Sequence, residues 1–244
     1  YYGSRVGFYV SNKSKISVAY LSLSYTDSKK STVTKNTTNT TTKTILFEGF
    51  NNKDNGWSET NTSSTRLAIE NGDYIFDHKR KSGGWSSTIV KYINSSRNFR
   101  ITAQIKKVSG IQNNGFGITF GKKDNDNQNH FLISSDGSFK IVKFSNGTRS
   151  YVKDWTKSTY IKTGDSKYNY LKVQKVGSAY KFYINSKLVH TSYSVKLYGS
   201  RVGFTVYDKQ KIRVGYLSMA YEDNTSTNIT KKNTNSHVSK ESIL

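Results

Sequence analysis

Glu48, Glu59 and Glu70 are of the residue type that glycoside hydrolysis requires, a reaction in which two carboxylates face one sugar. They stand far apart in the sequence, and none is followed two residues later by Asp. No paired-carboxylate motif results, so an enzyme is not expected. His78, His130, His190 and His237 are dispersed and lack the spacing of a zinc site. The absence of cysteine removes disulfides, thiolate metal sites and cysteine nucleophiles together. Asp124-Asn125-Asp126-Asn127-Gln128-Asn129 is the one acidic, oxygen-rich loop. Calcium takes such carboxylate and amide oxygens, which makes Asp124 and Asp126 its candidate ligands. The glycine and terminal Glu of an EF-hand are missing, and Asp/Asn clusters also make ordinary hairpin loops. The expectation is no metal and no cofactor.

Aromatic and basic residues offer binding chemistry instead. Aromatic rings stack on sugar faces, yet a large indole is more often packed into a core. The core is the expected place for each of Trp57, Trp85 and Trp155. Trp85 is the best exception, because Lys79-Arg80-Lys81-Ser82-Gly83-Gly84 before it reads as a polar, basic loop. A loop of that kind ending in Trp could touch a sugar or a carboxylate. Lys79, Arg80, Lys81 and Trp85 are therefore candidate ligand contacts, together with Trp155 and Tyr183. Arg100, Lys106, Lys172, Lys181, Lys211 and Arg213 occupy outward positions, and they form a basic face carrying Tyr183 if their strands share a sheet. The formal charge of +22 implies attraction to acidic polysaccharide or an anionic cell surface. Scattered lysines equally describe a solvated surface. No helix-turn-helix, zinc-finger or RNA-recognition signature accompanies the charge, so specific nucleic-acid binding is not expected.

The elements that must position these residues are strands. Phe99, Ile101, Ala103 and Ile105 alternate with Arg100, Thr102, Gln104 and Lys106. Phe116, Ile118 and Phe120, and again Tyr180, Phe182 and Ile184, keep the same period of two, the pattern of half-buried strands. Asn71-Gly72, Asp136-Gly137 and Asn146-Gly147 accept the positive φ that tight hairpins demand. No comparable helix-period stretch exists. An all-β module of short antiparallel strands follows, and a two-sheet sandwich is its natural closure. Ile212, Val214 and Tyr216 hold one parity and Leu217, Met219 and Tyr221 the other, which predicts a bulge near Tyr216-Leu217.

Tyr2-Gly3-Ser4-Arg5-Val6-Gly7-Phe8 returns letter for letter as Tyr198-Gly199-Ser200-Arg201-Val202-Gly203-Phe204, and the offset holds without a gap from Tyr2 to Tyr25. Self-similarity at a fixed period marks an array. The chain therefore divides into the closing strands of a preceding repeat (1–25), a Thr/Asn/Lys-rich linker (26–44), a complete module (45–222), a second linker (223–242) and the start of a third repeat (243–244). Residues 2–25 and 198–221 should occupy the same slot of a sandwich. The unmatched N-terminal copy would then present Val6, Phe8, Val10, Ile16, Val18 and Leu21 for pairing with another copy of the repeat. No apolar run approaches the ~18 residues of a membrane span.

Gly56-Trp57, Glu70-Asn71-Gly72-Asp73-Tyr74, His78-Lys79, Trp85 and Arg97-Asn98-Phe99-Arg100-Ile101 carry a likeness that continues through the chain. Its later parts are Gly115-Phe116-Gly117, Phe120-Gly121, Ser135-Asp136-Gly137-Ser138-Phe139, Trp155, Phe182-Tyr183-Ile184-Asn185 and Gly203-Phe204. The run resembles a bacterial module of the concanavalin A-like lectin/glucanase kind, related in pattern to laminin-G-like and 3-keto-disaccharide-hydrolase-like domains. The resemblance implies a jelly-roll sandwich of about a dozen strands that binds glycans or serves as an extracellular accessory module. Retaining glucanases of this fold carry Glu-x-Asp-x-x-Glu, which is missing here. The leading expectation is an extracellular, bacterial cell-surface repeat protein. It would build an adhesive or structural fibre from tandem modules with affinity for anionic polymers or glycans. A carbohydrate-binding module with a defined sugar site comes next, and a glycoside-hydrolase-like enzyme third.

Overall fold

The computed structural model describes residues 38–91 and 93–226. Fifteen strands follow one another among them, and no helix. They begin with β1 (Thr38–Glu48), β2 (Thr60–Asn61), β3 (Thr65–Glu70), β4 (Asp73–His78) and β5 (Gly84–Val90). Next come β6 (Phe99–Gly110), β7 (Phe116–Lys122), β8 (Gln128–Ile133), β9 (Ser138–Ser145) and β10 (Thr148–Lys157). The last five are β11 (Asn169–Val176), β12 (Ala179–Ile184), β13 (Lys187–Ser192), β14 (Arg201–Tyr207) and β15 (Gln210–Ser226).

They form two antiparallel sheets. The nine-stranded sheet runs β13-β12-β11-β6-β15-β4-β3-β2, with β1 added along β15. The six-stranded sheet runs β10-β9-β8-β7-β14-β5. The period-two residues do what the alternation requires. Phe99, Ile101, Ala103 and Ile105 are buried, as are Phe116, Ile118, Phe120, Phe182 and Ile184. Rings interlock between the sheets, with Phe120 and Phe131 lying 6.2 and 5.2 Å from Phe182. At one end of the core Trp57 lies 5.0 Å from Tyr74 and 5.4 Å from Phe204. Glu48, at the end of β1, fixes that corner. Its carboxylate accepts from the Phe50 N–H at 2.6 Å, Asn55 Nδ2 at 2.8 Å and Trp57 Nε1 at 3.0 Å.

Asn71-Gly72 and Asn146-Gly147 have positive φ at both residues and close the β3–β4 and β9–β10 hairpins. Asn185-Ser186 does the same between β12 and β13 without a glycine. The predicted irregularity in β15 sits at Gly215, where the pairing with β6 slips between Val214 and Tyr216. A Cβ there would meet Gln104 Oε1 at 2.3 Å, so the Gln104 side chain packs over the bulge in the space that glycine leaves.

Two boundaries differ from the sequence expectation. Thr38–Thr44, read as linker, extend β1, and Asp223–Ser226 extend β15 against them. β-branched threonines favour extended backbone, and here that backbone found a partner strand rather than solvent alone. The C-terminal copy of the duplicated segment forms β14 and β15, one strand in each sheet. The N-terminal copy, with Val6, Phe8, Val10, Ile16, Val18 and Leu21, lies outside the described residues.

Candidate functional site

The outer face of the six-stranded sheet holds a depression of about 490 Å³. Gly84, Trp85 and Ser86 line it from β5, Gln128 and His130 from β8, and Thr205 and Tyr207 from β14. Phe144 and Arg149, on either side of the Asn146-Gly147 turn, and Asn125 complete the wall. The hollow exists because small side chains meet at its centre while large ones stand around it. Ser86 pairs across the sheet with Thr205, and their hydroxyls are 2.6 Å apart. The Thr205 hydroxyl also bonds that of Thr119. Tyr207, Phe144 and Arg149 rise beyond this floor of hydroxyls.

His130 organises the polar side. Its residue is 2% exposed, and burial, with the nearby Lys122 charge, pushes its pKa down to about 3. The ring is therefore neutral, one nitrogen donating and the other accepting. Burial pushes the Tyr207 phenol up to about 12, so it keeps its proton. The consistent assignment has Tyr207 O–H donating to His130 Nδ1 at 3.1 Å and His130 Nε2–H donating to Gln128 Oε1 at 2.9 Å. Gln128 Nε2 then donates to the Asn125 carbonyl at 2.6 Å. This relay, all donors pointing one way, ties β14 and β8 to the Asp124–Asn127 loop. Phe144 packs on the imidazole with ring centroids 5.3 Å apart.

An aromatic shelf extends the same face toward β10. Lys140 Nζ lies 4.4 Å from the Tyr151 ring centre and 5.0 Å from that of Trp155. Arg149 lies 5.5 Å from the Tyr151 ring. Hydrogen-bonding groups beside exposed ring faces are what recognition of a polyhydroxylated ligand requires, since such a ligand has both polar edges and apolar faces.

The sequence candidates fall in several places. Trp57 is in the core, whereas Trp85 and Trp155 are 43% and 37% exposed, so the core expectation holds for the first tryptophan alone. Trp85 reaches the depression and Trp155 the shelf. Lys79 Nζ instead donates to Asn61 Oδ1 at 3.1 Å and to the Thr62 carbonyl at 2.7 Å. Arg80 and Lys81 are exposed and are not among the residues lining the depression. Tyr183 is on β12, in the other sheet. Arg100, Lys106, Lys172, Lys181, Lys211 and Arg213 do share that nine-stranded sheet with it. Their charge is partly answered in place. Arg100 pairs with Glu222 at 2.5 Å and Arg213 with Asp73 at 3.2 Å. Lys172 lies 3.9 Å from the centre of the Tyr183 ring. Asp124 Oδ1 accepts from the Asp126 N–H and from Asn127 Nδ2, and these bonds hold its pKa below the usual carboxylate range. Among the described residues no cluster of three or more His, Cys, Asp or Glu could hold a metal ion.

Gln128, His130, Arg149, Thr205 and Tyr207 were not singled out as a ligand site from sequence. The available signal was the polar outward parity of Gln128 and His130 on a strand whose inward residues are Phe131 and Ile133.

No protein-family model matches the sequence, and no curated protein does. Solved structures with the same fold do match. One is the CBM2 module of the evolved Dit protein of Lactobacillus casei BL23 phage J-1, at 11% identity and TM-score 0.52, covering 75% of this chain and 97% of that one. A second is the carbohydrate recognition domain of Emp47p, at 12% identity and TM-score 0.51, covering 73% and 94%. A third is the GH43 protein BlXynB from Bacillus licheniformis, at 12% identity and TM-score 0.51, covering 71% of this chain but 38% of that one. The chain thus shares its two-sheet antiparallel sandwich with a CBM2 module, a carbohydrate recognition domain and part of a GH43 protein. Among the described residues no helix is long and apolar enough to cross a membrane.

Proposed function

We propose that this chain is a non-catalytic carbohydrate-binding module, and that the depression on the outer face of the six-stranded sheet is its saccharide site. The observation that carries the reading is the meeting, in one hollow, of Gln128, Asn125 and Arg149 as hydrogen-bonding groups with Phe144 and Tyr207. The fixed His130 relay holds two of those residues in place before a ligand arrives, which lowers the ordering cost of binding. The carbohydrate-binding and carbohydrate-recognition domains with this fold support the reading. The lining of the depression contains no carboxylate, whereas glycoside hydrolysis uses two.

The duplicated segment supports a second layer of the proposal. A copy of residues 198–221 at positions 2–25 suits modules repeated along an extracellular, bacterial surface protein, where weak sites gain avidity by linkage. Adhesion through several such modules is the role this organisation serves best.

Binding of the full chain to an immobilised saccharide panel, followed by titration calorimetry, tests the site. The expected result is at least one saccharide ligand whose affinity falls about tenfold in Phe144→Ala, with the far-ultraviolet circular dichroism spectrum unchanged. A ligand that binds Phe144→Ala and the unaltered chain equally would move the site elsewhere, and no saccharide ligand would overturn the reading.

A further inference from the structure

Resting on the reading of the depression as a saccharide site, we propose that it takes an acidic sugar, and that Arg149, with Lys122 behind the wall, receives the carboxylate or sulfate of that sugar. Arg149 is the one charged residue in the lining, and no carboxylate accompanies it there. Among the described residues Arg149 has no ion pair, and its guanidinium lies 5.5 Å from the centre of the Tyr151 ring.

Lys122 strengthens the same field. The residue is 6% exposed, and its ammonium donates to Asn125 Oδ1 at 2.9 Å. Asn125 is itself part of the lining, so Lys122 is tied to a residue of the wall. Among the described residues no carboxylate oxygen lies within ion-pair distance of Lys122. Burial and the neighbouring Arg201 both lower its pKa, while Asp124 opposes them. Asp124 points one oxygen into its own loop, toward the Asp126 N–H and Asn127 Nδ2. The hollow is thus bordered by cations that form no ion pair among the described residues.

Several buried or half-buried cations elsewhere are answered by a carboxylate. Arg66, Arg97, Arg100, Lys107 and Arg213 each have an Asp or Glu partner. A concave site of one sign concentrates counter-ions, and here the counter-ion would be the ligand. The planar guanidinium fork matches the two oxygens of a carboxylate or sulfate, and bonds between such groups are stronger than neutral ones. The Gln128 and Asn125 amides and the Tyr207 and Phe144 rings then address the hydroxyls and the faces of the sugar.

The test uses the full chain at about 0.15 M salt, where long-range attraction by net charge is screened within ~8 Å. Titration calorimetry would compare trigalacturonate, its methyl ester, neutral galactotriose and a sulfated galactose trisaccharide. The carboxylate or the sulfated ligand, or both, should bind at least about tenfold more tightly than the two neutral ones, a ratio typical of a charge-assisted pair. Arg149→Gln should remove that advantage while leaving galactotriose within about twofold. Lys187→Gln, an exposed change on β13 of the other sheet, should alter neither. Which acid is preferred identifies the source of the charge. Equal affinity for trigalacturonate and its methyl ester would overturn the acidic-sugar inference and leave the saccharide reading standing. Equal weakening by Arg149→Gln and Lys187→Gln would also overturn it, assigning the attraction to net charge. No binding of any of the four, nor of other saccharides, would remove both.

Discussion

Acidification should reveal the cost of enclosing His130 without charge. In the folded chain its pKa is held to about 3, first by burial and then by Lys122. In the unfolded chain it returns to ~6.5. Above ~6.5 the imidazole is neutral in both states and contributes nothing to pH dependence. As pH falls from there toward 3, the unfolded chain binds a proton that the folded chain refuses, so stability is lost, and the loss saturates below the folded value. Between pH 7 and pH 5 these two values give about 2 kcal/mol. Urea unfolding followed by tryptophan fluorescence, at both pH values, measures it in the unaltered chain and in His130→Gln. Glutamine is uncharged throughout, so the variant should lose about 2 kcal/mol less over the same interval, with changes in the carboxylates common to both proteins. Equal losses would show that His130 titrates alike in both states and would refute its burial as a neutral relay.

Glu48→Ala leaves the Trp57 and Phe50 N–H groups without their acceptor in a buried corner, and should destabilise the fold by about 3 kcal/mol, read as a lower urea midpoint. Trp57→Ala should cost about 3–5 kcal/mol, because a 6%-exposed indole leaves a cavity among Phe50, Tyr74 and Phe204. Trp155→Ala removes an exposed ring of the shelf and should shift the same midpoint by less than about 1 kcal/mol.

Much of the architecture is written locally. The Phe99–Ile105 alternation is visible in seven residues, and Asn71-Gly72 and Asn146-Gly147 place their hairpins without reference to the remainder of the chain. The Asn185-Ser186 turn was less visible because it reaches positive φ without glycine. The Thr-rich ends of β1 and β15 read as linker because their side chains are polar, and only the pairing of Thr41 with Asp223 reveals the strand. The site was harder still. Ser86, His130 and Thr205 belong to three strands, β5, β8 and β14, and neither β5 nor β8 is next to β14 in sequence. A composition of hydroxyls and one histidine carries no spacing signal until the sheet sets them side by side. Trp85 drew notice because an indole after a basic, glycine-rich loop stands out in any register, yet on β5 it pairs with core-facing Val206 rather than with Thr205. Arg149 did not, being one of many cations on a chain of charge +22. What distinguishes it is its place as the one charged residue lining the depression.

Amide chemical-shift mapping of the full chain with trigalacturonate and with galactotriose tests the central claim most directly. Perturbations should gather at Ser86, Gln128, His130, Phe144, Arg149, Thr205 and Tyr207, all on the outer face of the six-stranded sheet. Perturbations confined to Tyr183 and its neighbours on the nine-stranded sheet would contradict the account.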